Sequence, residues 1–326
     1  MAPGGPIITR RSFGLMIAGV AGFVALPRSL VSQLNGGGEA VTCDFTAGHL
    51  PVYASFSRPS HATVWASKGA IQTIEADRPR FDHDPGTGEP KGLLFEPAAI
   101  NVLPNSRDVT GWRADGIVPS LDLRSEQQLS GTTIRAGKPR STLLSLTELR
   151  RDVYTFSSWI RRLDGYGRVA LTLDGGQSWA DVSAFLLGRD WVRVDVSNRL
   201  ARPAVGFRLE ESGDAIAVDL CQLERGGCAT SEIITSGTSG SRRGERIMIH
   251  YDEDNSWEIS WPALSSIRED RHLLALSVVP VGKSALEISL RTQSGQYVLR
   301  SDAANESSMS EEHGFEKHGP EEHGDG

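Results

Sequence analysis

Between residues 109 and 235 apolar and polar positions alternate in short runs with a period of two. The clearest run is 153–160, VYTFSSWI. Val153, Thr155, Ser157 and Trp159 point one way, and Tyr154, Phe156, Ser158 and Ile160 point the other. The second set reads as the core face. In 190–196, DWVRVDV, Trp191, Arg193 and Asp195 share one face, and Val192, Val194 and Val196 share the opposite one. Further strands are expected over 131–135, 168–173, 179–185, 204–209 and 215–223. Asp164-Gly165 and Asp174-Gly175-Gly176 mark turns between them. Only 141–150, STLLSLTELR, passes for a helix, and it is brief. Short strands without a sustained 3.6-residue period predict an all-β fold, with a β-sandwich at its centre.

The flanks carry the same pattern. Strand character at 41–45 is followed by 61–65 and 70–74, joined at Lys68-Gly69, which predicts a hairpin. The stretch 78–112 then leads into the sandwich through a polar turn, DHDPGTG, and the apolar run GLLF. Beyond it, 235–245 (TSGTSGSRRGE) reads as a polar linker and a domain boundary. Five more strands are expected at 246–250, 257–261, 273–279, 285–290 and 297–299. The organisation is therefore a leader at 1–40, a hairpin segment at 41–108, a sandwich at 109–235, a partial second β region at 236–300, and an acidic tail at 301–326. A partial sandwich leaves an apolar face open, so the 236–300 region must pack on the main body or pair with another chain.

Composition narrows the function classes. A formal charge of -7 with 23% charged residues gives no basic surface for nucleic acid. Three cysteines are present. Cys221 and Cys228 bracket QLERGG, whose two glycines allow a small disulfide loop; the alternative is free thiols. The tail repeats His313, His318 and His323 among glutamates, which reads as a solvated tail or as a weak zinc or nickel site. No Gly-x-Ser-x-Gly elbow, His-Glu-x-x-His helix or paired carboxylates mark a catalytic centre, and no cofactor is implied.

Arg10 and Arg11 precede Ser12, Phe13 and a moderately apolar run ending at Pro27. This pattern resembles the twin-arginine export signal of bacteria, with Arg10, Arg11, Phe13 and Leu15 on the motif and Gly14 where leucine is usual. The apolar run is short for a bilayer span. Export to the periplasm or the cell exterior is what the resemblance implies. Membrane contact would then run only through an uncleaved leader.

Ser60, Thr63, Gly69, Arg80, Phe81, Asp82, Asp84, Gly88, Gly92, Leu93, Glu96 and Asn101 form a dense pattern that resembles bacteriophage and prophage tail-fibre or head-spike proteins. The closing pattern, Trp191, Asp219, Gln222, Leu223, Glu224, Gly226, Ala229, Thr230, Ser231, Ile233 and Thr235, resembles carbohydrate-binding modules of jelly-roll, galactose-binding-like type. Together they imply a surface-binding β protein. They imply no established catalytic site. Thr230, Ser231 and Thr235 are read as fastening the chain where it leaves the sandwich.

Sugar binding calls for an exposed ring beside polar forks. The candidates are Trp159, Arg161, Tyr166, Asp174, Gln177, Trp179, Asp181, Trp191 and Arg193, with Arg162 and Asp164 beside them. Trp159 and Trp191 stand opposite the aliphatic sets of their strands, which favours exposure. Asp82 and Asp84, with His83, Glu89 and Glu96 near, admit two readings. One is a turn cap with an arginine ion pair; the other is a calcium site. Three functions compete: a non-catalytic carbohydrate- or surface-binding protein with a glycan or cell-surface polysaccharide as partner; a structural fibre or spike component, for which a homo-oligomer is expected; and an exported polysaccharide hydrolase or lyase.

Overall fold

The computed structural model describes residues 7–12, 40–122, 127–146, 149–200, 203–250, 255–260, 271–280, 286–293 and 296–300. Within 113–225 the alternating runs pair into two five-stranded antiparallel sheets. One sheet holds Ile117–Leu121, Thr132–Ala136, Ala215–Arg225, Asp152–Asp164 and Val192–Leu200, in that spatial order. The other holds Ala180–Asp181, Val169–Thr172, Ala204–Leu209, Ser141–Leu146 and Arg113–Asp115. Their facing sides enclose one core of Ile134, Leu143, Tyr154, Phe156, Ile160, Leu171, Val194, Phe207, Ile216, Val218 and Leu223. Tyr154, Phe156 and Ile160 fall on the inner face, as their alternation requires. The segment 141–146, whose leucines suit a helix, is a strand because Ser141–Leu146 pairs in register with Ala204–Leu209. Tertiary pairing here overrides local helix preference.

The strand Ala215–Arg225 is buried along all but its last residue. Its alternation breaks at Leu220, which lies at φ 49° beside a register shift against Asp152–Asp164. The bulge changes the parity of the strand. Ile216 and Val218 face the core before it, Cys221 and Leu223 after it. Leu220 is turned outward onto Trp65, Ile71 and Trp159. A second layer therefore covers this outer face.

That layer comes from both ends of the chain. Ala54–Ser57 pairs with Arg246–His250, which pairs with Asn255–Ser260 and through it with Ile7–Ser12. Val41–Asp44 pairs with Ala275–Pro280, which continues to Leu286–Arg291 and Gln296–Arg300. Phe45, Tyr53, Phe56, Leu93 and Phe95 share a core with Ile247, Ile249, Trp257, Ile259, Leu276 and Ile288. The open face expected of 236–300 is closed by the strands that precede the sandwich.

The stretch 235–245 is also built in. Gly240–Arg242 pairs with Ala99–Asn101, and Thr235, Arg242 and Glu245 are buried. A Gly/Ser-rich composition suggested a solvated linker, but two charged side chains of this stretch have partners only in the interior.

Candidate functional site

The second layer meets the sandwich around a buried ionic cluster. Glu96 receives Arg80 at 2.9 Å and Arg271 at 3.1 Å, and it also pairs with Arg242. Glu245 receives Arg80 at 2.7 Å and Arg58 at 3.1 Å. Arg80 also donates to the Thr63 carbonyl and to Ser231 Oγ. Burial alone would push the Glu96 carboxyl up, but the Arg242, Arg80 and Arg271 guanidiniums hold it well below the usual carboxylate range. Ion pairs this deep contribute little net stability, yet removing one partner strands the others. Their effect is to fix how five distant stretches of chain meet. Sequence reading offered Arg78 or Arg80 as the partner of Asp82 or Glu96, and the structure pairs Arg80 with Glu96; Arg58, Arg242, Glu245 and Arg271 carry no local signal.

Beside this cluster opens a half-enclosed cleft of about 210 Å³. Val64, Trp65, Leu94 and Trp159 form its apolar floor. The two indoles meet edge to face, with ring centres 5.2 Å apart. Asp82, Asp84, Pro85, Lys91, Arg193, Ser231, Glu232, Arg271 and His272 complete its lining. The wall at 82–94 is positioned by a hairpin whose glycines are required by close packing. Gly92 lies at φ 88°, and a side chain there would meet the Leu273 carbonyl at 2.4 Å. Its strand, Pro90–Leu94, pairs with His272–Leu273 and so carries His272 to the rim.

The acids of the cleft already have protein partners. Asp82 accepts the Trp65 N–H at 2.9 Å and lies 2.8 Å from His272 Nε2. Glu232 accepts Trp159 Nε1–H at 2.8 Å and sits 3.4 Å from Arg193. Asp84 accepts the N–H groups of Gly86 and Thr87 and pairs with Lys91 at 3.0 Å. The Thr87 N–H, against a smaller opposing effect of burial, brings the Asp84 carboxyl down to about 2, with Lys91 and the Gly86 N–H adding to it. The turn-cap reading of this stretch describes the contacts seen: the Asp82 and Asp84 oxygens hold a turn, a strand and a histidine. Among the described residues no group of three or more His, Cys, Asp or Glu side chains is placed to hold a metal ion.

The candidate sugar contacts divide between the two sheets. Trp159 and Arg193 line the cleft. Trp191 packs beside Trp159, and Arg161 lies over the Trp191 ring at 4.9 Å. The expected exposure of Trp159 is not found: it is 8% exposed, because Trp65 and Leu220 cover it. Asp174, Gln177, Trp179 and Asp181 belong to the opposite sheet's edge. There Asp174 accepts from Thr172 and Ser178, and Asp181 from Arg168 and Ser183. Trp179 donates to the Gly176 carbonyl, with Arg208 over its ring at 4.7 Å. These groups hold their own loops, while Gln177 is exposed. Tyr166 is 96% exposed on a neighbouring loop. Buried Arg162 donates to the carbonyls of Gly165, Gly167 and Leu186, which ties that loop to the one carrying exposed Phe185 and Leu187.

The Cys221–Cys228 disulfide is likewise corrected. All three cysteines are free thiols. Cys221 points into the sandwich core, 3.4 Å from Ser158 Oγ, whereas Cys228 lies beyond the strand end at Arg225. Burial pushes the Cys221 thiol up to about 12. Thr230 and Ser231 fasten the departing chain: Thr230 bonds Glu224, and Ser231 bonds Glu96. Arg10 and Arg11 lie in the strand Ile7–Ser12, opposite Trp257 and Ser256. Phe13, the rest of the leader and His313, His318 and His323 lie outside the described residues. No helix of the described residues is long and apolar enough to cross a membrane.

No protein-family model matches the chain, and no curated protein matches it. Solved structures that align with part of it include carbohydrate-binding modules. One is the C-terminal CBM6 of LamC, a marine laminarinase from Zobellia galactanivorans, at 10% identity and a TM-score of 0.27, covering 39% of this chain and 97% of that one. Another is TmCBM61 in complex with beta-1,4-galactotriose, at 16% identity and 0.29, covering 38% and 98%. A third is the carbohydrate-binding module CBM6cm-2 from Cellvibrio mixtus lichenase 5A in complex with cellotriose, at 11% and 0.27, covering 39% and 95%.

Proposed function

We propose that this chain is a non-catalytic carbohydrate- or surface-binding protein whose ligand enters the cleft between the sandwich and its covering layer. The observation that carries the reading is the cleft itself. It joins an apolar floor to converging charged side chains from four stretches of sequence. A jelly-roll, galactose-binding-like subtype for the sandwich, export of the protein and a prophage origin belong to the same proposal. Their support is the strand pattern, the arginine-led leader and the residue pattern between Ser60 and Asn101.

A glycan array tests it, with wild type beside Arg193→Gln, Lys91→Ala and Tyr166→Ala. The expected result is binding that falls at least tenfold with either cleft substitution and survives the loop substitution, all variants keeping a cooperative melt. A tenfold loss corresponds to about 1.4 kcal/mol. Binding that ignores Arg193 and Lys91 but is abolished by Tyr166→Ala would move the site to the loops tied by Arg162. An array without any bound glycan would overturn the sugar reading.

A further inference from the structure

The cleft favours one class of glycan over another, and this rests on the reading of it as the ligand site. Its aromatic floor is nearly closed, with Trp65 5% and Trp159 8% exposed, so little ring surface is offered for stacking on a neutral sugar. What the cleft offers instead is hydrogen-bond donors. An arginine carries five N–H donors. Arg271 uses only Nη1 within the protein, on Glu96 and on the Ala229 carbonyl. Its Nε and Nη2 have no protein partner among the described residues, and its side chain is 27% exposed. Among the described residues Lys91 pairs only with Asp84, which leaves ammonium hydrogens free of protein partners there. Arg193 also lines the cleft, with Nη2 engaged on Ser157 and Thr230 and an unpartnered Nε–H shielded from solvent.

The acceptors are mostly engaged. Both Asp82 oxygens are bonded, Asp84 is bonded by its own turn and by Lys91, and Glu232 Oε1 holds Trp159, while Glu232 Oε2 has no partner among the described residues. Behind them, Arg58, Arg80, Arg242 and Arg271 form their ion pairs with Glu96 and Glu245. Free donors of Arg271 and Lys91 thus outnumber the free acceptors, next to a cluster in which four guanidiniums share two carboxylates. We propose that the ligand is an acidic polysaccharide whose sugar carboxylate is received by Arg271 and Lys91, with Arg193 at the same mouth. A carboxylate supplies the planar acceptor that a guanidinium fork matches.

Isothermal titration tests this with oligogalacturonate, alginate and hyaluronan oligomers, each against its carboxyl-reduced form. The expected result is binding of at least one acidic oligomer, weakened tenfold or more by carboxyl reduction and by Arg271→Gln, and weakened severalfold by Lys91→Gln. Affinity should also fall as salt rises. Lys91 stands half-buried near the start of the strand Pro90–Leu94, so its variant keeps the test open if Arg271→Gln fails to fold. Equal binding of acidic and reduced oligomers, lost on Arg193→Gln, would overturn the acidic specificity and leave the glycan-binding reading standing. Binding of neither form of any oligomer, together with an empty neutral array, would overturn both.

Discussion

Glu96 is the residue on which the junction converges, since Arg80, Arg242 and Arg271 all reach it from separate stretches. Glu96→Gln leaves those guanidiniums without their shared charge, and a loss of about 3–5 kcal/mol is expected in urea unfolding. An unchanged midpoint would show that the cluster is dispensable. The same residue sets a pH dependence. Its carboxyl lies well below the ordinary value when folded, so its contribution is complete above the unfolded pKa. Stability should fall as pH drops below that value toward the folded one, and the Glu96→Gln variant should show a flatter acid limb. The thiols give a further residue-scale test. Native alkylation should reach Cys228 before the buried Cys43 and Cys221, and no 221–228 linked peptide should appear in non-reducing peptide mapping.

At the scale of elements, strand parity was legible and cover was not. The alternation in 153–160 places Tyr154, Phe156 and Ile160 inside, as found. It also places Trp159 outward, which is correct for its own sheet. What alternation cannot contain is Trp65, nearly a hundred residues earlier, closing over it. The bulge at Leu220 is likewise silent in the sequence: 215–223 reads as one uninterrupted strand, and only the register shift shows why Leu220 joins the outer cluster. Gly92 was legible as part of a turn-rich stretch, but its need for φ 88° arises from the Leu273 carbonyl across the sheet. Gly92→Ala should cost about 2–4 kcal/mol, by combining backbone strain with displacement of a neighbouring strand. A thermal melt within a degree or so of wild type would contradict the packing described.

For the whole molecule, the sandwich is flanked by one layer assembled from both of its ends. The sequence showed the strands at 246–250 and 273–279 but not their partners, because pairing with 54–57 and 41–44 spans the entire sandwich. Composition was misleading at 235–245, where Gly and Ser surround Arg242 and Glu245, both interior. Limited trypsin digestion should therefore spare the bond after Arg242 in the native protein, and early cleavage at that bond would contradict the burial of the Arg242 side chain. The site followed the same logic. Trp159 and Arg193 were readable as candidates from strand faces, while His272 and Arg271 enter only through the pairing of 272–273 with 93–94.

The central claim is that ligand enters between the two layers and not at the loop tips. Hydrogen exchange with and without a bound oligosaccharide tests it most directly. Protection should appear at 64–65, 231–232 and 271–272. Protection confined to 165–167 and 185–187 would contradict the account.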